Sequence, residues 1–190
     1  MNSWLLFSSS WTVVQVETID EAGAGLRAAL AIGPRVRTIM LLFDPTNNDV
    51  KSWLESAKTA SPELRGLMVQ RFFARILTKA GYDVVVGREL DIFARSRLRS
   101  LFIEVKSSLA GGLFGSQAEI SQLDGYLVAC QRNRAEIWLG TMGIIKPMNL
   151  HGTFRTAMRT RNVGLIDIRW VSTEETLLPH LSSVPQCNPA

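Results

Sequence analysis

The stretch LDIFARSRLRSLFIEVKSS, residues 90–108, decides the fold. Apolar residues alternate with others on both sides of Ser96-Arg97-Leu98-Arg99, which reads as two strands, 90–95 and 100–106, joined by a short loop. Side chains alternate faces along a strand, so Phe102, Glu104 and Lys106 share one face while Leu101, Ile103 and Val105 share the other. A four-residue loop sets Arg95 opposite Ser100, Phe93 opposite Phe102 and Asp91 opposite Glu104. Directly opposed side chains have Cβ atoms roughly 5 Å apart. Two carboxylates so placed repel each other, and a divalent cation with oxygen ligands, Mg²⁺ or Mn²⁺, is the natural remedy. Lys106, two residues beyond Glu104, is placed to orient an attacking water or steady a phosphate. The same register offers Lys106 a purely structural partner, Glu89, across the strand pair.

Outward from this hairpin the pattern is regular. Ser61 precedes Pro62 and Glu63, the start signal of a helix that Gly81 ends. Leu64, Met68, Phe72 and Ile76 recur every four residues along it, with Leu67 and Leu77 beside them, and predict a core-facing stripe. A strand at 82–86 leads into the hairpin. After the hairpin comes a Gly-rich loop, 110–115, then Ser116 and Glu119 in capping-box spacing, opening a helix to about Arg132. A strand at 135–142, a basic helix at about 149–160 and a strand at 164–171 complete the order α-β-β-β-α-β, then α-β. The first three strands, joined by short turns, predict an antiparallel meander. Upstream, 11–17 and 36–43 read as strands, with helices at 19–31 and to about 57. The expected organization is an N-terminal β-α-β-α extension or small lobe at 1–60, a core at 61–172 and a tail at 173–190.

At this point the chain resembles the PD-(D/E)xK nuclease superfamily, which includes restriction endonucleases, archaeal Holliday junction resolvases and RecB-like exonucleases. The resemblance rests on Asp91 and then Glu104-Val105-Lys106, within the α-β-β-β-α-β order. GLMVQRFFARILTKAGYDVV, a Gly-led helix ending in Gly-Tyr ahead of a strand, fits the element before the motif. QLDGY, Gln122 to Tyr126, is similar to the Q-L-x-x-Y element of RecB-like nucleases. It covers about residues 61–142. It implies an α/β, restriction-endonuclease-like core and a Mg²⁺- or Mn²⁺-dependent deoxyribonuclease of repair or recombination type. Asp91, Glu104 and the Val105 carbonyl would hold the metal, with Lys106 and Gln122 assisting catalysis, and cleavage by a homodimer. Leu90 replaces the family's proline. Many relatives carry a glutamate on the first helix four residues after a glycine; here Gly66 is followed at that offset by Gln70. Glu63, seven residues earlier, would be a substitute, or simply an acid favoring the helix dipole. Tyr126 is an accessory candidate with a core role as its alternative.

Composition agrees without deciding. The net charge is +4, and 13 of the 16 basic residues after position 60 are arginines, the side chain suited to forked contacts with phosphate. Arg95, Arg97 and Arg99 at the hairpin tip, and Arg155 and Arg159 one turn apart on the basic helix with Lys146, His151 and Arg161 around them, are the candidate DNA contacts. Cys130 and Cys187 give neither a disulfide framework nor metal-ligand spacing, and His151 and His180 have no cysteine partners. With no apolar run of spanning length and no signal-peptide pattern, the expectation is a cytoplasmic, non-secreted protein. Two rivals to the enzyme reading stand beside it. One is a nuclease fold that binds DNA or protein but no longer cuts, to which Gln70 points. The other is a nucleotide-binding protein using Gly23-Ala24-Gly25-Leu26-Arg27-Ala28, a G-x-G-x-x-A run separated from its strand by residues 18–22.

Overall fold

A computed structural model describes residues 5–7, 10–87 and 91–171. The expectations placed on Glu89, Leu90, His180, Cys187 and the tail from 173 lie outside the described residues.

The chain begins with β1 (Leu5–Phe7) and β2 (Trp11–Val16), then α1 (Ile19–Ala31), β3 (Thr38–Phe43) and α2 (Asn48–Thr59). Thr18 and Asn47 cap the two helices by accepting from backbone N–H groups of their first turns. Next come α3 (Pro62–Lys79), β4 (Asp83–Val86), β5 (Ile92–Arg95) and β6 (Ser100–Ser108). Ser61 accepts from the Leu64 N–H and Pro62 occupies the first turn, the start the sequence signals. β7 (Gly112–Phe114), α4 (Gln117–Asn133), β8 (Glu136–Gly143), β9 (Met148–Leu150), α5 (Gly152–Thr160) and β10 (Gly164–Trp170) follow. The Ser116–Glu119 capping box is present in full at the start of α4.

Eight strands form one sheet in the order β1-β2-β3-β10-β8-β6-β5-β4. The inner strands from β2 to β6 run parallel, whereas β1 and the β4–β5 hairpin are antiparallel to their neighbors. A parallel strand covered on both faces needs an unbroken apolar run, and β3, TIMLLF, is buried at every position after its first. The architecture is mixed α/β with a mostly parallel sheet and helices on both faces. On one face α1, α2 and α3 bury Leu26, Leu54, Phe72 and Phe73 against Phe43, Ile103, Trp138 and Ile166. On the other, Leu123, Cys130, Phe154 and Met158 of α4 and α5 cover Phe102, Ile137 and Leu139.

The first 60 residues widen this sheet and share its core. Trp53 of α2 packs on Phe72 of α3 with ring centroids 4.5 Å apart, and Phe43 of β3 reaches the same Phe72 at 5.4 Å. Gly23 and Gly25 have packing roles inside α1. A Cβ on Gly23 would collide with Lys79 of α3, and one on Gly25 with the Val14 side chain of β2. Both glycines lie within the helix, not in a strand-to-helix turn, so the G-x-G-x-x-A run builds no phosphate loop.

Three expectations need correction. The stripe on α3 is rotated: Leu64 and Leu67 are 53% and 50% exposed, while Val69 and Phe73 join Phe72, Ile76 and Leu77 in the core. At 3.6 residues per turn a four-residue spacing drifts about 40° around the helix at each step, so a repeat extended from Ile76 back to Leu64 leaves the buried face. The Gly-rich loop contains β7, which pairs in parallel with β9 as a separate two-stranded sheet. That pairing takes Met148–Leu150 out of the basic helix, which starts at Gly152 under a His151 cap. Among the described residues, no helix is long and apolar enough to cross a membrane.

Candidate active site

The hairpin register holds as the sequence predicts, with Arg95 on Ser100, Phe93 on Phe102 and a last rung at Ile92–Ile103. Phe93 and Phe102 stack with centroids 4.8 Å apart. Asp91 lies one residue past that rung and leaves the ladder. Its Oδ2 accepts from the Val105 backbone N–H at 2.7 Å, and its Oδ1 accepts from the Gln70 side-chain amide on α3. The carboxylate thus takes up a donor at the point where the described ladder stops. A strand residue points its N–H and C=O toward the same neighbor, so the Val105 carbonyl faces the edge where Asp91 sits.

Glu104 follows on the face shared with Phe102. It is 9% exposed, and its Oε1 forms an ion pair with the Lys106 Nζ at 2.7 Å. The Lys106 ammonium also lies 5.9 Å from the center of the Phe114 ring, on β7. Tyr126, from α4, stands near enough to Glu104 for the carboxylate to act on its hydroxyl. Burial, then the Glu104 charge and hydrogen bond, and the Asp91 charge, push the Tyr126 hydroxyl up to about 12, so it stays a proton donor. Burial lifts the Asp91 carboxyl above the usual carboxylate range, and the Glu104 charge adds to this. The Val105 N–H, the Lys106 charge and the Gln70 amide oppose the rise without cancelling it.

Asp91, Glu104, Val105, Lys106, Gln70 and Tyr126 therefore converge where α3, β5, β6 and α4 meet. Asp91, Glu104 and the Val105 carbonyl are hard oxygen donors of the kind Mg²⁺ and Mn²⁺ take. The mutual charge that helps lift Asp91 is the imbalance a cation would correct, so the donor set fits the ion. Among the described residues no group of three or more His, Cys, Asp or Glu side chains gathers to hold a metal.

The remaining candidates lie elsewhere. Glu63 is exposed in the first turn of α3, held below the usual carboxylate range by its own backbone N–H and then by Ser61. It is two turns from Gln70, roughly 10 Å along the axis, and keeps only the role of a first-turn acid. Gln122 is exposed one turn before Tyr126. Arg95 and Arg97 are exposed at the hairpin tip, at the start of β6. That is about 20 Å along the strand from Lys106, so they do not join the site. Arg99 is taken up inside the fold: its Nε and Nη2 donate to Glu136 and its Nη1 to the Leu30 carbonyl, each at 2.7 Å. It fastens the hairpin to β8 and α1, and the expectation that it contacts DNA is corrected accordingly. Arg161 is likewise tied to Asp124, joining α5 to α4.

One cluster was not anticipated. Lys106 is in register with Thr141 on β8, Thr141 with Asp167 on β10, and Asp167 with Met40 on β3. These side chains form one row on one face, and Asp167 stands two strands, about 10 Å, from Lys106. The buried Asp167 accepts from Thr141 Oγ1 at 2.6 Å and from Arg169 Nε at 2.7 Å. Burial drives its carboxyl upward, against Arg169, Thr141 and Arg155. The signal was in the sequence: Asp167-Ile168-Arg169 repeats the acid-x-base spacing of Glu104-Val105-Lys106 in another apolar strand. Arg155 and Arg159 of α5 line a cavity over this cluster.

No protein-family model and no curated protein matches the chain. Among solved structures it is weakly similar to SfsA of Pyrococcus furiosus, determined in complex with Ca²⁺. The two are 14% identical with a TM-score of 0.39, and the alignment covers 56% of this chain and 57% of that one. The chain therefore spans little more than half the length of that protein.

Proposed function

We propose that the chain is a metal-dependent deoxyribonuclease with a restriction-endonuclease-like core, hydrolyzing phosphodiester bonds as an endonuclease or structure-selective nuclease. The observation that carries this reading is the convergence of two carboxylates and an ammonium at the end of β6, with Glu104 nearly buried and paired to Lys106 at 2.7 Å. Buried charges of this kind are costly unless paired or given a chemical task. Asp91, Glu104 and the Val105 carbonyl would hold Mg²⁺ or Mn²⁺, which supplies Lewis-acid polarization of the phosphate and a more acidic water. Lys106 swings between Glu104 and the phosphate, where its charge steadies the negative charge of the transition state. Tyr126 holds the Glu104 carboxylate and Gln70 holds Asp91, fixing the direction of their oxygens. Arg155 and Arg159 contact a phosphate of the DNA, and a homodimer would present one site to each strand.

A cleavage assay on plasmid and branched DNA with Mg²⁺ or Mn²⁺ tests this. Cutting by the wild type and none by Asp91→Ala is the expected result; no cutting by either defeats the enzyme reading. Gln70 favors a second reading, a nuclease fold that holds DNA without cutting. On that reading wild type and Asp91→Ala bind DNA alike and neither cleaves it.

A further inference from the structure

The cavity over Asp167 has a volume of about 190 Å³. That exceeds the roughly 150 Å³ known to admit a benzene ring, so it takes one six-membered ring with substituents. Met40, Leu150, Met158 and Leu165 give it apolar walls, and thioethers make favorable contacts with aromatic rings. The rim is cationic. Arg37 is committed to Glu136 at 2.7 Å, and Arg169 donates to Asp167. Arg155 and Arg159, one turn apart on α5, make no hydrogen bond or close ion pair among the described residues, and although the Arg155 charge also acts on Asp167, that carboxylate is paired with Arg169, so the two add about two positive charges to the wall. A phosphomonoester carries about two negative charges at neutral pH, which matches this pair.

We infer that this cavity binds a nucleoside 5′-phosphate, with its ring among the apolar side chains and its phosphate on Arg155 and Arg159. The choice of a nucleotide over other phosphorylated compounds rests on the nuclease reading, because the cavity opens on the sheet face that carries Glu104 and Lys106. The ligand is either a free nucleotide or the 5′-phosphorylated end of a DNA strand.

Isothermal titration calorimetry of the full chain with thymidine 5′-monophosphate, thymidine and inorganic phosphate tests the assignment. The nucleotide should bind at least tenfold tighter than either fragment. Arg159→Ala, at an exposed position that the fold tolerates, should weaken the nucleotide at least tenfold and leave thymidine unchanged. A nucleotide that binds no tighter than phosphate, or equally to wild type and Arg159→Ala, overturns the proposal. Displacement of the nucleotide by a 5′-phosphorylated oligonucleotide but not by its 5′-hydroxyl twin assigns the cavity to a strand end; no displacement by either assigns it to the free nucleotide; equal displacement by both places internal phosphates on Arg155 and Arg159 and overturns the proposal. Nucleotide binding without DNA cleavage would defeat the nuclease reading alone, and cleavage without nucleotide binding would defeat this one alone.

Discussion

Gln70→Glu places a carboxylate where an amide now donates to Asp91, and its effect should reverse sign with metal. The lost hydrogen bond to a charged acceptor is worth about 1.5–3 kcal/mol. Two ionized carboxylates about 4 Å apart near a protein surface repel by about 4 kcal/mol. Without metal the variant should lose about 2–7 kcal/mol at pH 8, the lower limit applying if the new side chain turns away. For a chain of this length that is a fall in Tm of roughly 4–28 °C. The pH dependence follows from the direction of the shift. Both acids would titrate above their unfolded values, so the penalty is complete at pH 8. It disappears as pH falls below the unfolded carboxylate pKa of about 4. Wild-type Asp91, already raised, contributes a smaller trend of the same sign. A cation that binds the folded site at about 100 times its Kd returns about 2.7 kcal/mol, and the variant, with three acids, should gain more than the wild type. Thermal melts in EDTA and in Mg²⁺ at pH 8 and pH 5 read all four corners. An unchanged melting temperature in EDTA at pH 8, or equal metal stabilization of the two proteins, would refute the reasoning that these side chains share one ion site.

Glu136 sits between Arg37 and Arg99 and is held below the usual carboxylate range: burial alone would raise it, but Arg99 and then Arg37 outweigh that. Its contribution is present above the unfolded carboxylate pKa and lost as pH falls through the depressed value. Glu136→Gln should cost about 2–3 kcal/mol at pH 7, somewhat under a fully buried pair, and flatten the loss of stability below about pH 4 in urea titrations. Gly164→Ala drives a methyl into the ring of fully buried Trp138 and should cost about 1–3 kcal/mol by chemical denaturation. Arg159→Ala should lower the salt slope of DNA binding by about 0.9, whereas Arg99→Ala should lower stability and leave that slope unchanged. Tyr126→Phe should reduce cleavage while preserving DNA affinity, because it frees the Glu104 carboxylate without touching the basic surface.

Local chemistry made most elements legible. Ser61-Pro62 and Ser116-x-x-Glu119 mark helix starts through groups that act within one turn, and the hairpin register follows from a four-residue loop alone. What escaped the sequence depends on distant partners. Nothing near Arg99 foretells Glu136, 37 residues on, so a buried clamp reads as a loop cation. The order of the inner strands, with β10 between β3 and β8, is set by packing across the whole sheet. The Lys106–Thr141–Asp167 row needs that order before its members become neighbors. Within the candidate site, Asp91, Glu104 and Lys106 were legible because they sit on one hairpin. Tyr126 and Gln70 were legible only as similarities to a family pattern, since their contacts cross from helices to the strand.

The bond from Asp91 to the Val105 N–H separates two histories for this position. Loss of that side chain would leave a strand donor without its acceptor, whatever the protein does. Were the proposed cleavage abandoned, an acceptor at 91 would therefore still be required, whereas Lys106 answers only to the Glu104 carboxylate that it pairs with. On the nuclease reading, Asp91 would outlast the activity while Glu104 and Lys106 would be lost together, making that pair the more informative marker of cleavage.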